Sequence, residues 1–247
     1  MVRKVVVPPD LIDGDADEGY GKVVDAFRAN FAAHRDVGAA VAVYRDGVKV
    51  VDMWGGYRNG FTRTPWQQDT MVNMFSTTKG IASLAVTAAA SRGLIDYDAK
   101  VADYWPQFAQ AGKAEVTVRQ LLSHQAWLSA LDAPLRLADL TDQNSLSAAL
   151  TQAAITPTGG IRDKVLHVDS MFSLGYCKPV PHFCFRSSGR AFGTPGLGGS
   201  FDFADPDTGV GFAYVMNRLG FHLWSDPREL ALRQALFRDV LGAPPQK

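Results

Sequence analysis

Apolar residues recur along this chain at two spacings. In 19–35, Val23, Val24, Phe27, Phe31 and Ala32 fall at helical intervals with charges between them, which predicts an amphipathic helix. The run 38–44 is apolar and β-prone. A tight turn, Arg45-Asp46-Gly47, leads to a returning strand over 49–56 in which Val51, Met53 and Trp54 supply the bulk. The far end mirrors this order. Strands over 198–204 and 210–216 are joined by Asp205-Pro206-Asp207-Thr208-Gly209, and a helix over 227–241 follows, with Leu230, Leu232, Ala235, Leu236 and Val240 apolar. Helix and hairpin at one end, hairpin and helix at the other, predict an α+β fold. One antiparallel sheet would carry both terminal helices on a single face.

Between the two ends the pattern thins. A polar connection over 57–70 leads through 71–75 into a helix that opens at Ser76, runs through the Ala-rich stretch 81–90 and stops near Gly93. This helix is expected to cover the other face of the sheet. A turn at 94–98, a short aromatic segment at 101–108 and a helix over 116–123 capped by Thr117 follow. The segment 136–160 has the weakest pattern, with one helix predicted over 146–155 and ended by Pro157, Gly159 and Gly160. Residues 165–176 alternate as a strand, and Pro179, Pro181 and Ser187-Ser188-Gly189 mark a loop.

The helix at Ser76 changes the picture from fold to chemistry. Phe75-Ser76-Thr77-Thr78-Lys79-Gly80 contains Ser-x-x-Lys, which puts hydroxyl and amine one turn apart on the same side of the helix. A serine hydroxyl is a poor nucleophile without a nearby base, and an amine serves as that base only in its neutral form. A helix N-terminus also offers backbone N–H groups to a developing oxyanion. In these four residues alone a capped helix with a solvated first-turn lysine is the commoner reading, and the rest of the chain has to tip it.

Composition narrows the classes. The chain has 247 residues, with 25 Lys+Arg against 25 Asp+Glu. A zero net charge gives no reason to expect nucleic acid or an anionic membrane as partner. The apolar run 81–90 is too short to span a bilayer, and the first residues carry charge without an apolar h-region, so the cytoplasm is the expected compartment. Cys177 and Cys184, with His182 between them, lack an evident fourth metal ligand and read as free thiols; no metal and no cofactor are expected. The glycines of 193–200 lack the lysine of a phosphate-binding loop. His124, at a helix end, reads as a cap for carbonyls rather than as a catalytic base, and Tyr57 and Tyr176 read as packing residues.

Three stretches in order carry a resemblance: Phe75-Ser76-Thr77-Thr78-Lys79-Gly80, then Leu121-Leu122-Ser123-His124-Gln125-Ala126, then Phe192-Gly193-Thr194-Pro195-Gly196-Leu197-Gly198-Gly199-Ser200 ahead of Phe203-Ala204-Asp205-Pro206. Together they resemble the serine beta-lactamase-related superfamily, and within it the class C-like or family VIII carboxylesterases, over 41 to about 134 and about 146 to 238. The resemblance implies a five-stranded antiparallel sheet flanked by helices, in a single domain over 1–247. It implies Ser76 as the acylated nucleophile, Lys79 as its proton acceptor, and Thr194-Pro195-Gly196 as the third motif, on a strand lining the cleft. The N–H groups of Ser76 and Leu197 would then form the oxyanion hole, with Thr194 and Gly196 beside the substrate, a small ester.

The chain departs from that pattern in three places. The tyrosine triplet of the second motif has no match, and only residues 135–145 stand where the family carries a longer segment, so most of the helical subdomain is expected to be missing there. Thr194 replaces the usual Lys or His of the third motif, and Trp127 stands where relatives have a small residue. General acid–base help is worth about a hundredfold to ten-thousandfold, so these losses set a hydrolase against an inactive homologue that binds or self-associates through newly exposed apolar surface. Esters are favoured over beta-lactams, because Thr194 supplies no cation for a beta-lactam carboxylate. A beta-lactamase or penicillin-binding activity is the remaining alternative.

Overall fold

The computed structural model describes residues 5–126, 171–180, 183–185, 187–222 and 224–243. The described chain forms two compact units, 1–80 with 177–247 and 81–176. Residues 135–145, the helix expected over 146–155, Trp127, His182 and the first part of the strand expected over 165–176 lie outside the described residues.

The first unit is built on an antiparallel sheet. Its strands are β1 (Ile12–Ala16), β2 (Gly38–Arg45), β3 (Val48–Asn59), β4 (Thr64–Pro65), β7 (Phe192–Pro195), β8 (Phe201–Asp205) and β9 (Val210–Met216); β5 (Phe172–Ser173) and β6 (Tyr176–Cys177) come between β4 and β7 along the chain. The order β3-β2-β9-β8-β7 is the expected run of five. It is longer than expected at both ends, because β1 pairs with β3 (Ile12 opposite Gly55) and Cys177 pairs with Gly193. β1 escapes sequence reading since Ile-Asp-Gly-Asp-Ala holds one bulky apolar residue among residues that disfavour strands. β4, which pairs Pro65 with Tyr57, falls in the stretch expected as a plain connection. The β2–β3 hairpin turns at Asp46 and Gly47, both at positive φ, 50° and 81°, as a two-residue turn requires.

Helix α1 (Gly21–Ala33) buries Val23, Phe27 and Phe31. Each such side chain contributes about 1.5–3 kcal/mol on burial. The C-terminal helix α5 (Pro227–Gln234) continues as a wider π-type coil over Ala235–Val240 and packs against α1 on the same face of the sheet. Leu232, Leu236 and Phe237 are buried there, and Phe237 meets Phe203 at 5.9 Å between ring centroids. Phe201 and Phe203 therefore point to the helical face, and alternation sends Asp202 to the opposite one.

In the second unit, α3 (Val101–Tyr104) and α4 (Val118–Leu122) close a small core of Val101, Phe108, Val118 and Ala126. Thr117 caps α4 as expected, accepting from the Gln120 N–H while the Gln120 side chain accepts from the Thr117 N–H. The end of the strand expected over 165–176 is instead a turn between β5 and β6, with Leu174 and Gly175 at φ 50° and 90°. His124 sits at φ 58° just past α4, its ring stacked 4.0 Å from Phe172. The sequence expected that helix-end position.

Candidate active site

Helix α2 (Thr78–Ser91) is entered through a single 3-10 turn, Phe75–Thr77. Phe75 holds a left-handed φ of 48°, a strained state for an aromatic residue. Asn73 steadies it: its side-chain oxygen accepts from the Phe75 N–H at 2.9 Å. The turn delivers Ser76 half-buried and Lys79 exposed, with Lys79 Nζ donating to Ser76 Oγ at 2.6 Å. The two side chains thus meet as the helical spacing predicts.

The strand-and-turn 192–200 stands beside this entry. An added Cβ on Gly196 would lie 2.4 Å from the Met74 carbonyl and 2.5 Å from Thr77 Oγ1, so only glycine permits this approach. Ser200 stitches the two segments together: its hydroxyl donates to the Met74 carbonyl at 2.9 Å and lies 3.0 Å from Thr77 Oγ1. Gly196, Leu197, Gly198 and Gly199 form a β-turn closed by the Gly199 N–H on the Gly196 carbonyl at 3.2 Å, with Gly198 at φ 91°. Leu197 is exposed on it.

Thr194 lies buried, against Gly80 rather than in the open. Asp202 shares that contact, and its Oδ1 accepts from the Thr194 N–H at 2.9 Å. Burial pushes the Asp202 carboxyl up to about 6, against the pull of its backbone hydrogen bonds. Cys177, also buried, has its thiol pushed up to about 11 by burial, with Lys79 acting in the opposite sense. At neutral pH it is a packing residue and not a nucleophile. Cys184 is a free thiol. Tyr57 is buried on β3, as a packing residue would be. Among the described residues no cluster of His, Cys, Asp or Glu is arranged to hold a metal ion, and no helix is long and apolar enough to cross a membrane.

A model of the Beta-lactamase family matches residues 24–164. The chain belongs to the Beta-lactamase family. It is 47% identical over 118 residues to Esterase/beta-lactamase LipL of Mycobacterium tuberculosis, a stretch covering 48% of this chain and 28% of that protein. It is 33% identical over 124 residues to Esterase EstB of Burkholderia gladioli, covering 49% and 32%. The chain therefore spans 28% and 32% of the length of the curated relatives it matches. Among solved structures it superposes on a family VIII carboxylesterase with a TM-score of 0.81 at 26% identity, over 92% of this chain and 99% of that one. A penicillin-binding protein homologue from Caulobacter crescentus gives 0.80 at 24% identity, with the same coverage, and shows the fold alone. The antiparallel α+β sheet is that of the beta-lactamase and transpeptidase-like class.

Within this family member, several residues at the Ser76 turn escape a reading of motifs. Ser200 and Asn73 act through backbone carbonyls and amides, which no Ser-x-x-Lys pattern reports. Asp202 had a visible signal, an acid between Phe201 and Phe203 in a strand, and such a position needs a partner or a raised pKa. Arg228 follows Asp226-Pro227, which reads as an ordinary helix start. Its distant partners give no local sign.

Proposed function

We propose that this chain is a serine hydrolase of small carboxylic esters, acting through an acyl-Ser76 intermediate. The carrying observation is the 2.6 Å contact between Lys79 Nζ and Ser76 Oγ at the entry of α2. In this reading neutral Lys79 takes the Ser76 proton as Oγ bonds to the ester carbonyl carbon. The carbonyl electron pair moves to oxygen, where the N–H groups of Ser76 and Leu197 receive it. Collapse breaks the bond to the alkoxy oxygen, and the alcohol leaves with the proton held by Lys79. Water then attacks the acyl carbon, giving its proton to Lys79, and the acid departs as Ser76 is reprotonated. Likeness to proteins named esterase supports the ester as substrate class. Thr194, buried and uncharged, leaves a beta-lactam carboxylate without a cation at that position.

The test is hydrolysis of p-nitrophenyl acetate, with mass labelling by a fluorophosphonate. Wild type is expected to turn over and to carry one adduct on Ser76. Ser76→Ala is expected to lose both, and Lys79→Ala to lose a hundredfold or more in rate. Equal rates for wild type and Ser76→Ala would remove the proposal. A second reading, a homologue that binds without turnover, draws support from the exposure of Lys79, since water at the pair weakens the electrostatic stabilisation that turnover needs. Labelling of Ser76 separates the two, because only an activated hydroxyl reacts.

A further inference from the structure

Behind the 196–199 turn, on the side away from solvent, lies an arginine whose five N–H donors are all engaged. Arg228 Nε and Nη2 grip the Asp226 carboxylate at 2.8 and 2.9 Å, and Nη1 donates to Asp36 Oδ1 at 3.0 Å. The other two donors go to backbone carbonyls, Nη2 to Gly198 and Nη1 to Arg218, both at 2.6 Å. The side chain is 5% exposed. The Gly198 carbonyl also accepts from the Gly220 N–H at 2.8 Å. Two glycines let the backbone close on this ion pair. A Cβ on Gly199 would lie 2.8 Å from Arg228 Nη2, and one on Gly220 2.3 Å from Asp226 Oδ2.

The geometry fixes more than a loop. In a trans peptide the C=O and the following N–H point in opposite directions. The Gly196 carbonyl is turned inward by the Gly199 N–H, so the Leu197 N–H points outward from the turn. With the Gly198 carbonyl pinned by Arg228, the turn cannot rotate about its own axis without breaking a charge-assisted bond.

We infer that Arg228 is a positioning residue: held by Asp36 and Asp226, its guanidinium sets the direction of the Leu197 N–H through the Gly198 carbonyl and so aims one of the two oxyanion donors. The inference rests on the hydrolase reading above and deepens it. A donor counts by its alignment with charge that develops only in the transition state. Misaiming it lowers kcat and leaves KM nearly unchanged, whereas general loosening of the fold would affect both.

Arg228→Lys keeps the charge but offers three donors from a point, with no fork to serve two carbonyls and two carboxylates. With p-nitrophenyl acetate the expected result is a fall in kcat of about thirtyfold, below the hundredfold or more for outright loss of a donor. KM should stay within about twofold, and fluorophosphonate labelling of Ser76 should slow in parallel. Asp36→Asn, isosteric and with a carboxylate hydrogen-bonded to the guanidinium and to Tyr214 Oη, carries the same test should Arg228→Lys not fold; about a threefold to tenfold fall in kcat is expected. A folded variant with wild-type kcat and labelling rate, or a loss carried by KM, overturns the inference. Wild type that is not labelled at Ser76 at all overturns the hydrolase reading, and this inference with it.

Discussion

The first unit keeps its charges in two opposite settings. Around α5, Asp36, Asp226, Arg228, Glu229 and Arg233 are all buried and satisfy one another almost completely. At the entry of α2, Lys79 stands exposed, with Ser76 as its hydrogen-bond partner. A dry cluster is rigid because every broken bond strands a charge in a low-dielectric interior. A wet pair is held by its backbone alone, since exposed ion pairs and hydrogen bonds are worth little. In the proposed hydrolase the contrast would be a division of labour, the buried network fixing backbone geometry and the exposed pair moving a proton.

The strongest way to break the comparison is to leave one dry charge without its partner. Arg233 donates to Glu229 at 2.5 and 3.0 Å and to the Cys184 carbonyl at 3.0 Å, with its guanidinium over Phe201. Burial already pushes the Glu229 carboxyl up, even against Arg233. Arg233→Met is expected to cost about 3–5 kcal/mol in urea unfolding. Adding Glu229→Leu should recover most of that loss, because a well-packed apolar pair replaces the ions at little net cost. If the single variant is as stable as the double one, water reaches the cluster and the Glu229 charge is not stranded.

Asp202 gives a smaller and pH-dependent effect. Its carboxyl titrates near 6 in the folded chain against an ordinary 3.8. A raised folded-state value means that the native state binds the proton more tightly than the unfolded one. The resulting stability is complete below about pH 4 and lost as pH rises through 6. Asp202→Asn keeps an acceptor for the Thr194 N–H and removes the charge. Urea unfolding should show near-equal stabilities at pH 4 and a variant more stable by about 3 kcal/mol at pH 7. A difference that does not change with pH would place the Asp202 carboxylate in water.

Much of this fold is legible in the residues. α1, the β2–β3 hairpin, β9 and α5 follow from strong periodicity, and Thr117 and the Asp205–Gly209 turn from their own local chemistry. Ser76 and Lys79 meet because a helix imposes the distance, which is a local rule. What escaped is non-local. β1 and β4 are strands only because β3 offers them an edge. The buried Arg228 draws its partners from Asp36 and Gly198, 192 and 30 residues away in sequence. That Thr194, opposite Asp202 in the β7–β8 ladder, would be buried beside Gly80 is likewise a pairing no local pattern reports.

The finest test concerns the wet side, where little should happen to stability. Lys79 is exposed, and its hydrogen bond ends on a half-buried hydroxyl. Lys79→Ala removes that bond, worth about 0.5–1 kcal/mol at most in so open a place. It replaces the lysine with the best helix former, which returns a few tenths of a kcal/mol. The net change in unfolding free energy at pH 7 should be within about 0.5 kcal/mol, while the same variant loses a hundredfold or more in ester turnover. A loss near 2 kcal/mol would mean that the amine is bound into the fold as Arg228 is. The proton relay would then have to be sought in a group that costs the structure nothing to remove.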